Sequence, residues 1–375
     1  MKMKGGTGMI ERGRISAGQM ALILYVGCVG VKILTAPHLA AKWAGRDMWL
    51  TPLVAAVSGV SFYVALKLHR RFPGETIIQY SPRILGWFGK GIALLYWIVY
   101  IHACSFVIRY YADLVNGVFL PETPPAVVMG GMALVCAAAV RGGLETIVRS
   151  AQFLTVPAFA ILVIFTVLSS TEWDVENLFP ILERGIGPVV RGAVNPSIWF
   201  SEYFLAAFLL PYVKEQDKAG RWGAVAIVGS ILTLTVFDLI SVFVLGNQSA
   251  TFLYPLFETV RLISLAGFFE HIDAFILAMW LTIIFAKICL FQYVAVLGSA
   301  QWLGLSDYKP LSLPIAFILV AVSIWTAPNL SFLNRFLDGE GVFYSHLVQV
   351  VIPLGLLAVA GIRKVKGTRE EGNAS

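Results

Sequence analysis

Six ionisable side chains sit inside otherwise apolar stretches of this chain: Lys32, His102, Arg109, Glu202, Asp238 and Lys287. A charge at membrane depth is expensive, so such residues pair with one another or mark a site. Lys287 sits deep in its stretch, within Phe285-Ala-Lys-Ile-Cys289. Glu202 is its expected partner, with Lys32 as the rival. Three roles are open to Lys287. It can bind the carboxylate of a ligand. It can fill a cation site and remove any need for sodium. Or it can form a buried ion pair that sets helix register. Arg109 lies nearer the end of its stretch, where its head can snorkel to water, which makes it a structural charge. Asp238 is placed for a proton relay. Trp199, Phe200 and Phe291 flank the same region and are candidates for covering the apolar side chain of a bound amino acid.

The segments that carry these residues are themselves interrupted. The first apolar stretch reads Tyr25-Val-Gly27-Cys-Val-Gly30-Val-Lys32-Ile-Leu-Thr35-Ala-Pro37. Glycine weakens a helix there, and proline removes a backbone donor. The sixth opens Asn195-Pro196-Ser-Ile-Trp199-Phe-Ser201-Glu202-Tyr203, again with a proline, small polar residues and a charge. Interruptions at corresponding places in two halves of a chain are a sequence pointer to a transporter-type site. An unwound helix offers N–H groups to a carboxylate and carbonyls to an ammonium. The alternative is that the glycines only allow close helix packing and the prolines only kink.

These segments must be membrane helices. The chain has 375 residues, of which 58 % are hydrophobic and 13 % charged, against about 25 % charged in soluble domains. Its mean hydropathy is +0.78. A soluble globule of this length cannot hide that much apolar surface, and disorder requires the opposite composition. About ten spans of ~20 residues are expected, near 18–41, 48–68, 91–114, 126–140, 147–169, 192–213, 222–246, 272–298, 313–327 and 343–362. The basic start followed by an apolar run reads as a first, uncleaved helix. Most of the 28 Lys and Arg fall on one side when both termini are cytoplasmic. That bias also accounts for the net charge of +6 without nucleic acid. The stretch 72–90 is expected to hold a short interfacial helix, and 257–268 is amphipathic. The whole chain reads as one transmembrane domain of two five-helix halves, 1–170 and 171–375. No phosphate loop, nucleophile elbow, metal-ligand spacing or CxxC pair is present, so neither an enzyme, a metal nor a cofactor is expected.

The same residues carry a resemblance. Val29-Gly30-Val-Lys-Ile-Leu-Thr35-Ala-Pro37 is similar to a Gly-x-Gly-hydrophobic-Pro opening. Phe72-Pro-Gly-Glu-Thr, Ile84-Leu-Gly86, Asn177-Leu-Phe-Pro180, Leu210-Pro211 and Phe269-Glu-His-Ile-Asp273 follow in matching order. Together they resemble the B-subunit family of GerA-type spore germinant receptors, in the amino acid–polyamine–organocation superfamily. Ser201 stands where that family often has glycine, and Lys32 replaces the second glycine of its opening. Lys287 occupies a position where a related subunit has a small hydroxyl residue. The resemblance implies an all-α LeuT-type fold, a 5+5 inverted repeat with helices 1 and 6 broken. It implies an amino-acid-sized site between helices one, three, six and eight, at Gly27, Gly30, Val99, Ala103, Trp199, Lys287 and Phe291. Lys32 and Ser201 join that site by position, with Glu202, Arg109 and Asp238 as coupling or structural charges. It also implies the inner spore membrane, A and C receptor subunits as partners besides lipid, and germinant binding that triggers germination. A proton-coupled amino acid transporter of the same fold is the alternative function.

Overall fold

The computed structural model describes residues 10–30, 32–262 and 272–367. Among the described residues every regular element is helical, apart from one isolated parallel bridge between Ile15 and Val213. In chain order, α1 (Ala17–Val29) and α2 (Lys32–Ala44) form the first expected span. A 3-10 turn leads through α3 (Thr51–Ala55) to α4 (Val60–Arg71), the second. Then come α5 (Ile77–Leu85), α6 (Trp87–Val118), α7 (Pro125–Gly142) and α8 (Leu144–Ser169). The second half begins with α9 (Gly187–Ser201), a 3-10 turn over Glu202–Leu205, and α10 (Ala206–Leu209). It continues with α11 (Ala219–Leu245), α12 (Pro255–Leu262), α13 (Ile272–Leu303) and α14 (Ser312–Thr326). α15 (Leu330–Asp338) and α16 (Glu340–His346) precede a π turn at Leu347–Val351 and α17 (Ile352–Ile362).

Eight helices among the described residues are long and apolar enough to cross a membrane. The difference from ten lies in the first and sixth expected spans. In the first, α1 covers 13 residues and residue 31 lies outside the described ones, and in the sixth α9 covers 15, each short of the ~20 residues a crossing needs. α1 starts on a reciprocal capping box between Ser16 and Gln19 and ends at Val29, before Gly30. In the sixth, the helix passes into a tighter 3-10 turn at Glu202. Of the amphipathic stretch 257–268, positions 263–268 lie outside the described residues, as do Phe269, Glu270 and His271.

Burial ranks the helices. Within α13, 83 % of the apolar window over 279–303 is buried, against 22 % in α8, so α13 is the inner post. It packs on α6, α7, α8 and α1, while α9 lies on α2 and α3. The helix expected at the interface does form, as α5, opened by a Thr76–Gln79 capping box. It is not a surface helix, because Ile77, Ile78, Tyr80 and Ile84 are all buried. Gly86 ends it at φ +61°, a conformation open to glycine, and α6 begins at the next residue. That is why α6 starts four residues earlier than the hydropathy suggested.

The N-terminal segment closes one end of the bundle. Ile15 and Lys214 share backbone bonds with Tyr212 and Ile15 at 3.0 and 2.9 Å. The buried Glu11 carboxylate accepts from Tyr308 Oη at 2.5 Å and from the Leu144 N–H at 3.1 Å.

Candidate functional site

Side chains of the first, sixth and eighth segments meet in the core. Lys287, on α13, donates to Glu202 Oε2 at 2.8 Å, a charge-assisted geometry, and its ammonium lies 5.4 Å from the Phe291 ring. Lys287 is wholly buried. Lys32, at the first turn of α2, is not the partner of that pair. Its ammonium donates to the Pro196 carbonyl at 2.7 Å and stands over the Trp199 and Phe200 rings at 4.4 and 4.9 Å. Lys32 thus brings a cation onto α9, held there by a carbonyl and two aromatic faces. Asp238, buried on α11, lies within electrostatic reach of Lys32, as does Glu202. Two basic and two acidic side chains thus share one core region.

Beside this cluster is a cavity of about 60 Å³, enough to admit water or a small head group. Val99, His102, Ala103 and Phe106 of α6 form one wall. Ile198, Trp199 and Glu202 form the second, and Phe336 the third, with Tyr344, Ser345 and Gln349 beyond it. His102 stacks among Phe106, Phe336 and Tyr344, with ring centroids 4.2, 5.7 and 5.6 Å away. At the outer edge Asn195 Nδ2 donates to the Leu337 carbonyl and to Asp338, both at 3.0 Å, which fixes the turn between α15 and α16. Burial pushes the Asp338 carboxyl up, while Lys42 and the Asn195 bond oppose it.

Of the residues expected at the site, Val99, Ala103, Trp199 and Glu202 line the cavity. Ser201 reaches it through Ser345, Oγ to Oγ at 3.0 Å. Gly27, Gly30, Lys32, Lys287 and Phe291 are absent from its lining, with Lys287 touching it through Glu202 and Lys32 through Trp199. Arg109 is elsewhere, bound to both oxygens of Asp113 at 3.0 Å and to the Pro328 carbonyl. The cavity lies between the third, sixth and tenth segments. The tenth was not singled out in the sequence, although Gln349 in the run Leu347-Val-Gln-Val-Val351 is a polar residue within an apolar span. The π turn is the second signal. Such turns are rare and concentrate at functional sites, but no residue type announces them. Among the described residues, no three His, Cys, Asp or Glu side chains gather as metal ligands would.

The two glycines of the first segment differ. A Cβ on Gly30 would come within 3.0 Å of Ile283 Cγ2 and 2.9 Å of the Val26 carbonyl. One on Gly27 would make ordinary contact with Leu290 at 3.5 Å. Gly30 is thus a point of close approach between the first segment and α13. Gly30→Trp is expected to lower stability by about 3 kcal/mol or more through overpacking, and Gly27→Ala to stay within ~1 kcal/mol. Melting of the two purified variants in detergent checks this. A Gly30→Trp protein that melts like the parent would refute the packing assignment.

Comparison with known proteins bears on the whole arrangement. The family described as "Spore germination protein" matches residues 14–331, ending before Ser345 and Gln349. Spore germination protein KB of Bacillus subtilis is 26 % identical over 97 % of this chain and 99 % of its own length. Spore germination protein XB of Bacillus anthracis is 23 % identical over 91 % of this chain and 93 % of its own. Among solved structures, Mhp1, a nucleobase-cation-symport-1 family transporter, superposes with a TM-score of 0.69 at 12 % identity, over 94 % of this chain and 79 % of its own. A Na+-coupled sialic acid symporter gives 0.62 at 12 % identity, over 94 % and 84 %. The likeness shows that this chain has a LeuT-type transporter fold.

Proposed function

This chain belongs to the spore germination protein family, and on that premise we propose that it is the membrane subunit of a spore germinant receptor. In this reading it binds a small nutrient of amino-acid size and triggers germination. Binding favours one arrangement of a bistable bundle and passes the shift to A and C subunits in the inner spore membrane. Both termini are cytoplasmic, and the two halves, 1–170 and 171–375, move against each other. The reading contains no covalent step and no cofactor.

The observation that carries it is the small cavity in the helix bundle, bordered by Glu202 on one side and by aromatic rings on the other. Buried space with a few convergent polar groups is where a ligand binds. Lys287 holds Glu202 from behind, so the carboxylate is fixed before a ligand arrives.

The test uses the purified protein in liposomes, with labelled amino acids, under an inward proton gradient. Saturable binding without net uptake is expected. Concentrative uptake that collapses with the gradient would make the protein a proton-coupled transporter instead. That second reading has its own support, since both solved neighbours named above are transporters.

A further inference from the structure

We infer that the cavity holds its ligand by an ammonium group, received by Gln349 and Glu202 of its lining, and that no Lys or Arg of the cavity wall anchors a carboxylate. This rests on the reading of the cavity as the ligand site and specifies the chemistry it selects.

The inference follows from a chain of hydroxyl protons. Ser201 Oγ donates to the Ile198 carbonyl at 2.5 Å, so its proton is committed. Its contact with Ser345 Oγ, at 3.0 Å, must then take the Ser345 proton. Ser345 Oγ is left as an acceptor, and Gln349 Nε2 donates to it at 3.1 Å. That fixes the Gln349 amide with its nitrogen toward Ser345 and its oxygen the other way. Gln349 is 4 % exposed, and among the described residues its Oε1 has no hydrogen-bond partner. A buried acceptor without a donor is costly, and a polar group in a ligand site is where that cost is relieved by binding.

The backbone supports the same placement. Gln349 is the central residue of the π turn at Leu347–Val351. The neighbouring Val348 carbonyl is already taken, by Tyr96 Oη at 2.6 Å. The side-chain oxygen of Gln349, by contrast, has no donor among the described residues.

The opposite wall agrees in sign. Glu202 lines the cavity with a carboxylate, and Trp199, Phe106 and Phe336 offer ring surface that attracts a cation. No Lys or Arg is among the described residues of the lining. Lys32 and Lys287, the two nearby cations, are committed to the Pro196 carbonyl and to Glu202. His102 is the titratable base of that lining, and its ring is packed among Phe106, Phe336 and Tyr344; with no Lys or Arg among the described lining residues, the acceptors and aromatic faces select a hydrogen-bond donor of positive charge. The volume of about 60 Å³ limits it to a head group with a few carbons.

Three matched probes test this on the full-length protein in lipid nanodiscs, by calorimetric titration: L-alanine, ethylamine and propionate. Ethylamine keeps the ammonium of alanine, and propionate keeps its carboxylate. Ethylamine and alanine are expected to bind, and propionate not. Gln349→Leu should weaken ethylamine by about tenfold or more, the worth of a hydrogen bond to a charged group. Gln349→Glu should strengthen it. The second variant and the unmutated titrations keep the test decisive if Gln349→Leu does not fold. Propionate binding without ethylamine binding would overturn the ammonium assignment and leave the receptor reading standing. Binding of none of the three, nor of any of the twenty amino acids, would overturn both.

Discussion

Lys287→Met is expected to destabilise the protein by about 3–5 kcal/mol, the loss typical when one partner of a buried ion pair is removed. The variant leaves Glu202 in a core site, with its 2.8 Å donor gone and 8 % of its surface exposed. Lys32 stays within electrostatic reach of Glu202, which holds the loss toward the lower end of that range. The double variant Lys287→Met with Glu202→Met should recover most of it, to within ~1 kcal/mol of the parent, because two apolar side chains of similar size bring no charge to bury. Reversible unfolding of the parent, both single variants and the double variant in mixed micelles gives the coupling directly. The same set separates the three roles open to Lys287 from its sequence. The ammonium is behind Glu202 and outside the cavity lining, so folded Lys287→Met protein should keep the ligand preference of the parent. A single variant as stable as the parent, but with altered ligand choice, would assign Lys287 to the ligand instead.

Much of this organisation was legible before any coordinates. Hydropathy placed the long helices to within a few residues, because a buried or lipid-facing helix has no polar face to blur its ends. Lys287 with Glu202 followed from the scarcity of charge at that depth. What was not legible was which residues share a wall. Lys32 was open as a partner for Glu202, and only the close approach of α2 to α9 places it on the Pro196 carbonyl. Ser345 and Gln349 were passed over for a different reason. A serine and a glutamine in an apolar span are weak signals one at a time. Their meaning comes from a proton chain that starts on Ser201, more than a hundred residues earlier in sequence. The π turn that aims Gln349 has no composition of its own. Glycines were ambiguous too. The sequence marks Gly27 and Gly30 alike, whereas a Cβ on Gly27 would make ordinary contact with Leu290 and one on Gly30 would crowd Ile283 and the Val26 carbonyl.

Gly89→Ala is expected to be strongly damaging for a one-carbon change, with Gly91→Ala as its matched control. Both glycines lie in the first turns of α6, two residues apart, in the run Gly86-Trp-Phe-Gly89-Lys-Gly91. A Cβ on Gly89 would sit 2.0 Å from the Ser81 carbonyl oxygen and 2.7 Å from the Pro82 Cα. Those are backbone atoms of α5, and a backbone cannot rotate out of the way as a side-chain tip can. α5 is held on its other side as well, by the burial of Ile78 and Tyr80 and by Thr76 Oγ1 bonding Gln301 on α13 at 2.5 Å. The helix must move as a body or the new methyl must overlap it, at about 3 kcal/mol or more, the upper end for overpacking. A Cβ on Gly91 meets nothing within 4 Å. Alanine there gains helix propensity, so Gly91→Ala should be neutral or stabilising by up to about 1 kcal/mol. The two variants differ only in which side of α6 receives a methyl. Melting temperatures moving in opposite directions, or Gly89→Ala failing to accumulate while Gly91→Ala does, would place α5 against α6 as described. Equal behaviour would mean that α5 is free to yield, and that this segment is the interfacial helix its sequence first suggests.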